Sequence, residues 1–313
     1  MFTSSRRPLA SLALLVAACV WGVAWYPYRL LAEAGLTGSQ SSLLTYAVAL
    51  AIMLAISPPR RPWSSANRPL LLAVALAAGW TNLAYVLAVI QGEIMRVMLL
   101  FYLAPLWTVL FARLILAEKA GAWGWLVIVM AMLGAVVMLY DLDGGLPFPA
   151  NMAEWLGLSA GFTFALSNVL ARKLKQVPTE RRSVWIFAGV LLIALLPVAG
   201  EGDLAARLAA LTGFDWTLVV LTGGLLVLAT FSVQYGLAHT PANRAIVILL
   251  TELVAAAFFS WYWAGEAMGV QEWLGGALIV AASLISGRMD NETDGATDSR
   301  LCEQDKVHCR MDE

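Results

Sequence analysis

Residues 9–288 divide into ten stretches, each apolar for about the ~20 residues that a helix needs to cross a bilayer core. They run roughly over 9–32, 38–57, 69–90, 95–116, 122–140, 153–172, 183–200, 214–238, 243–264 and 271–288. Hydrocarbon offers no partner to a backbone N–H or C=O, so chain of this kind is confined to helices that satisfy themselves. Composition agrees. The sequence is 60% hydrophobic and 13% charged, against ~45–50% and ~25% in a globular average. The expected fold is an all-α membrane protein of ten transmembrane helices. Turn residues and charge mark the breaks, as in Pro58-Pro59-Arg60-Arg61-Pro62 and Asp141-Leu142-Asp143-Gly144-Gly145. The second stretch is the weakest, because Thr37 to Ser42 is polar.

Charge sets the orientation. With the N-terminus in the cytoplasm, the inner side receives Arg6, Arg7, Arg60, Arg61, Arg68, Arg113, Lys119, Arg172, Lys173, Lys175, Arg181, Arg182, Arg244 and Arg288. The outer side keeps Arg29, Arg96 and Arg207, while carboxylates such as Glu33, Glu93, Glu201 and Asp203 collect there. That bias is the positive-inside pattern, and it places both termini in the cytoplasm of a bacterial inner-membrane protein. The partner is therefore the lipid bilayer. No basic stripe suggests nucleic acid. Residues 289–313 hold eight carboxylates, three basic residues and few apolar side chains, so a disordered cytoplasmic tail is expected. Cys302, His308 and Cys309 in that tail fit no standard zinc spacing, and neither a metal nor a cofactor is expected.

One pattern occurs twice. Arg96, Phe111, Glu118, Gly121, Trp125 and Leu126 recur without a gap as Arg244, Phe259, Glu266, Gly269, Trp273 and Leu274. Five spans separate the copies, and an odd number turns the second copy upside down in the membrane. The domains read as a first five-helix repeat over 9–140 and a second, inverted one over 150–288. Inverted repeats mark secondary transporters, whose substrate site lies near the midplane where the halves meet.

The Trp21-Gly22 pair in the first span resembles the EamA-type branch of the drug/metabolite transporter superfamily. The stretch Tyr102-Leu103-Ala104-Pro105-Leu106-Trp107-Thr108-Val109-Leu110-Phe111 is similar to the amino-acid exporters of that branch, the YddG type. Glu118 and Gly265-Glu266 match its Gly-Glu signature closing helices four and nine. One departure stands out. Where the family often carries Glu-Pro, this chain reads Thr251-Glu252-Leu253, so helix nine is expected to lack a proline kink. The resemblance implies a central cavity lined by helices one, three, four, six, eight and nine, opening to one side at a time.

The residues themselves suggest the lining. Trp21 and Trp25 share a face of helix one, Arg29 continues it, and Pro27 kinks its outer end. Asn82 and Tyr85 in helix three, Tyr102 in helix four, Phe164 and Asn168 in helix six, and Gln234 in helix eight complete the substrate-binding set. Polar side chains within apolar spans face the bundle interior. Aromatic faces with a few amides suit an amphipathic metabolite. For any single aromatic, packing or an interfacial belt is an equally good account. Glu252 is the sharpest signal, a carboxylate near the centre of helix nine that costs at least ~2.5 kcal/mol to insert. It either carries a coupling proton or binds a substrate amino group. Pro105, Glu118 and Glu266 belong to gating or structure, the two carboxylates being by default solvated helix ends.

No phosphate loop, zinc-binding His-Glu pair or nucleophile with a His partner is visible, so no enzyme is expected. The reading is export of a small-molecule substrate by alternating access, an amino acid (aromatic or bulky) or related metabolite first, with a monomer sufficing. Efflux of organic cations with Glu252 as counter-ion is the alternative. A non-transporting receptor or scaffold is the alternative of another class.

Overall fold

The computed structural model describes residues 6–56, 67–91, 97, 100–118, 121–139, 149, 151–202, 204–259, 261–262, 269–271, 273–282 and 284–285. Arg96, Glu266 and the 289–313 tail lie outside them. Every described regular element is helical. In order these are α1 (Arg6–Glu33), α2 (Gly38–Ile56), α3 (Arg68–Gln91), α4 (Ala104–Phe111), α5 (Ala122–Leu139), α6 (Met152–Lys173), α7 (Thr179–Glu201), α8 (Leu204–Ala210), α9 (Gly213–His239), α10 (Ala242–Leu249), α11 (Thr251–Phe259) and α12 (Trp273–Ala282). Five of the described helices, within α1, α2, α3, α7 and α9, are long and apolar enough to cross a membrane. Large apolar side chains such as Leu72, Leu192, Leu196 and Leu221 point outward from them, as lipid-facing residues do.

The polar stretch that weakened the second span is buried rather than set against lipid. Ser39, Gln40, Ser41 and Ser42 are all buried. The Thr37 and Ser39 hydroxyls donate to the Glu201 carboxylate at 2.7 and 2.9 Å, across from the end of α7. A carboxylate counted among the outer-side charges thus closes the start of α2.

Packing is paired across the chain. Helix α3 runs along α6 and α7, α9 runs along α1 and α2, α4 packs on α6, and α11 packs on α1. Each contact returns when α6, α7, α9 and α11 are substituted for α1, α2, α3 and α4. Close approaches are made where glycine removes the side chain, the usual way for membrane helices to meet. A Cβ on Gly22 of α1 would stand 2.9 Å from the Glu252 carbonyl of α11, and one on Gly161 of α6 would overlap the Phe101 carbonyl just before α4. Gly79 of α3 meets the Gly189 carbonyl of α7 at 2.6 Å in the same sense, and Gly223 of α9 meets the Thr45 carbonyl of α2 at 2.9 Å.

The interruptions are paired too. The helix leading to α4 breaks at Tyr102–Leu103, and Pro105, which lacks an N–H and suits a first helical turn, starts α4 afresh. The ninth span breaks at Leu250, between α10 and α11. Leu250 stands as far after Tyr102 as Arg244 stands after Arg96. Helix nine carries no proline at this point, as its sequence reads, yet it is interrupted all the same, and the cause is local. The Thr251 hydroxyl takes the Ile248 carbonyl at 2.7 Å, and the Leu253 amide reaches only three residues back to Leu250. Both broken helices then widen into a π turn, at Ala112–Leu116 and at Trp261 and Tyr262. Such turns are rare and gather at functional sites.

Candidate functional site

A cavity of about 140 Å³ opens between the two sets of helices, beside the break in the ninth span. Of the residues expected there, Trp21, Asn82, Tyr85, Phe164, Asn168, Gln234 and Glu252 line it. Asn82 and Tyr85 project from one face of α3, as do Phe164 and Asn168 from α6, because residues three or four apart stack on a helix. Two expected residues stand outside the lining. Trp25 packs edge-on against Tyr26 with ring centroids 5.6 Å apart. Tyr102 sits behind Phe101 at 5.3 Å and donates its hydroxyl to the Glu252 carboxyl. Tyr102 therefore reaches the site through Glu252 rather than through the cavity.

Tyr46, Thr81, Phe101, Ser167, Ile186, Val190 and Thr230 line the cavity without having been anticipated. Extending the α3, α6 and α9 faces by one position or one turn would have found Thr81, Ser167 and Thr230. Tyr46 comes from α2 and Ile186 from α7, two helices outside the lining that the family resemblance implied. Phe101 reads in sequence as any core apolar residue.

Aromatic rings form the walls. Phe101 lies 5.3 Å from Tyr85 and 5.4 Å from Phe164, ring centre to ring centre. Against them stand amides. The Asn82 Nδ2 donates to the Tyr46 hydroxyl at 3.4 Å, leaving its Oδ1 buried without a partner among the described residues. Asn168 Nδ2 and Gln234 Oε1 are left in the same state. A buried polar atom without a hydrogen bond costs about 1–3 kcal/mol. The three residues that carry these atoms all line the one cavity, and donor and acceptor character are both represented among them. Glu252 is the one formally charged residue on the described lining.

The remaining expected residues are elsewhere. Pro27 is buried within α1, and its neighbour Tyr28 shares a 3.0 Å hydrogen bond with Thr45 of α2. Arg29 pairs with Glu33 at 3.6 Å, with side chains 63% and 64% exposed, an arrangement worth little. Glu118 is not a solvated helix end. It pairs at 3.3 Å with Arg172 of α6, whose Nη1 also donates to the Leu237 and Ala238 carbonyls at the end of α9. Cations there complement the negative end of the helix dipole. Glu118 thus ties α4, α6 and α9 together at one end of the bundle. Among the described residues no cluster of His, Cys, Asp or Glu could hold a metal ion.

A model described as the EamA-like transporter family matches residues 8–140 and again 151–288. A riboflavin transporter of Rhizobium johnstonii is 29% identical over 226 residues, covering 71% of this chain and 69% of that protein. An uncharacterized transporter of Archaeoglobus fulgidus is 25% identical over 224 residues, covering 70% and 76%. A solved crystal structure superposes with a TM-score of 0.73 over 92% of this chain and 99% of that one, at 19% identity, a likeness of fold alone.

Proposed function

The chain belongs to the EamA-like transporter family and is a multi-pass membrane transporter, and we propose that it exports a small metabolite across a bacterial inner membrane by alternating access. In this reading ten spans form two inverted halves, 9–140 and 150–288, with both termini cytoplasmic. The paired contacts, glycine approaches and helix breaks support it, since an inverted repeat gives each of them a counterpart. The cavity between the halves is the substrate site.

An amino acid with an aromatic or bulky side chain is the leading substrate. Glu252 meets the amino group, the unpaired Asn168 Nδ2 and nearby hydroxyls meet the carboxylate, and the Trp21, Tyr85, Phe101 and Phe164 rings hold the side chain. The observation that carries this is a cavity lined by aromatic rings, one carboxylate and three amide residues that each keep a buried polar atom without a partner among the described residues. A second reading, efflux of organic cations, is favoured by Glu252 being alone in charge on the described lining.

Purified protein in proteoliposomes separates the two. L-tryptophan should raise the melting temperature and cross the membrane, with riboflavin and tetraphenylphosphonium as comparison ligands. Stabilisation and flux with tetraphenylphosphonium alone would replace the first reading by the second. Flux of riboflavin alone would align the chain with its Rhizobium relative. No flux of any of them would overturn the substrate classes.

A further inference from the structure

Arg182 was counted among the inner-side charges, and it is 0% exposed in the first turn of α7. Its Nη1 donates to the Ala171 carbonyl of α6 at 2.8 Å, and its Nη2 to the Gln234 carbonyl of α9 at 2.6 Å and to Thr179 Oγ1 at 3.2 Å. All three partners are neutral. The Nε has no partner among the described residues. Withdrawing a guanidinium from water with no carboxylate bonded to it, and only the charge of Glu180 two residues away to offset the loss, is expensive. Helix packing alone would be served more cheaply by an apolar side chain of similar volume.

The two carbonyls explain what the cation holds. Gln234 carries one of the cavity amides, and Ala171 lies three residues, less than one turn, beyond Asn168, which carries another. Ile186, one turn above Arg182 on α7, lines the cavity as well. A planar guanidinium presents its donors in a fixed fork, so two carbonyls bound to it are held at a set separation.

We propose that Arg182 is a positioning residue, fixing α6 and α9 at the spacing that lets Asn168 and Gln234 engage one substrate together. The proposal rests on the cavity being the substrate site. It assigns Arg182 no contact with substrate. Lysine keeps the charge but cannot fork to both carbonyls, whereas methionine keeps only the length.

Two measurements on the full-length protein test this. In proteoliposomes, Arg182→Met should raise the KM for L-tryptophan by about tenfold with kcat changed by less than about twofold, and Arg182→Lys should fall between Met and the wild type. Hydrogen–deuterium exchange of the same variants should quicken in the segments around 168–174 and 230–238 and nowhere else. An unchanged KM, an equal fall in kcat, or exchange quickened throughout the bundle would overturn the proposal. If Arg182→Met does not fold, Arg182→Lys is read by the same two criteria. A wild-type protein that moves no L-tryptophan defeats the substrate reading alone, and the exchange pattern then decides the case for Arg182.

Discussion

Glu252→Gln is expected to lower the proposed transport of L-tryptophan by on the order of 10–100-fold, the effect of losing a hydrogen bond to a charged group worth about 1.5–3 kcal/mol. The exchange is nearly isosteric, so the fold and the Tyr102 contact have no reason to change. What it removes is a group able to be anionic and able to exchange a proton. Two roles are then distinguishable in the same vesicles. If Glu252 binds an amino group, the loss appears in KM, and the response to an imposed pH gradient is kept. If it carries the coupling proton, turnover falls and the response to the gradient disappears. Transport and pH response both matching the wild type would remove Glu252 from the site, leaving it a carboxyl hydrogen-bonded to Tyr102 for packing.

The second large effect concerns the scaffold. Gly189→Ala should prevent recovery of folded, monodisperse protein or lower the melting temperature steeply. A Cβ there overlaps the backbone carbonyl of Ala75 on α3, and its nearest neighbours are backbone atoms that cannot rotate away. Overpacking typically costs about 1–3 kcal/mol where side chains can yield, so a backbone clash belongs at or above the top of that range. Gly224→Ala supplies the control, because nothing lies within 4 Å of a Cβ at that position of α9. There alanine should be neutral, or stabilise by about 0.5–1 kcal/mol through the helix propensity that glycine lacks. If Gly189→Ala were as well tolerated as Gly224→Ala, the α3–α7 crossing would not be this close.

The helical class was legible because hydropathy is additive along the chain, and five of the apolar runs contain helices long and apolar enough to cross a membrane. Each apolar run had to become helix wherever it packed. The second span was the informative doubt. Its polar start, Thr37 to Ser42, reads as a poor membrane segment until Glu201, far along the sequence, is seen to accept from Thr37 and Ser39. No local pattern announces that pairing. The same limit applies at the cavity. Polar residues inside apolar spans (Asn82, Asn168, Gln234 and Glu252) betray themselves by their cost, and all of them reached the lining. Aromatic residues carry no such signal, so Trp25, expected in the wall, stands outside the lining and Phe101, which lines it, was overlooked. The break at Leu250 was missed for another reason. Proline was taken as the mark of an interrupted helix, whereas here a threonine hydroxyl competing for a carbonyl accompanies the break. Arg182 shows the hardest case. Beside Arg181 it looks like one more solvated charge, and only the approach of α6 and α9 makes it a buried clamp.

Everything said of the site depends on the halves being inverted, and the turns after α1 and α6 report on that directly. These turns are counterparts in the repeat and should lie on opposite faces of the membrane. With Cys19, Cys302 and Cys309 replaced, single cysteines at Ala34 and Gln176 can be labelled by a membrane-impermeant maleimide in intact cells. Ala34→Cys is expected to react from outside, and Gln176→Cys only after the membrane is permeabilised. Reaction of both from the same side would contradict the inverted arrangement and the shared cavity built on it.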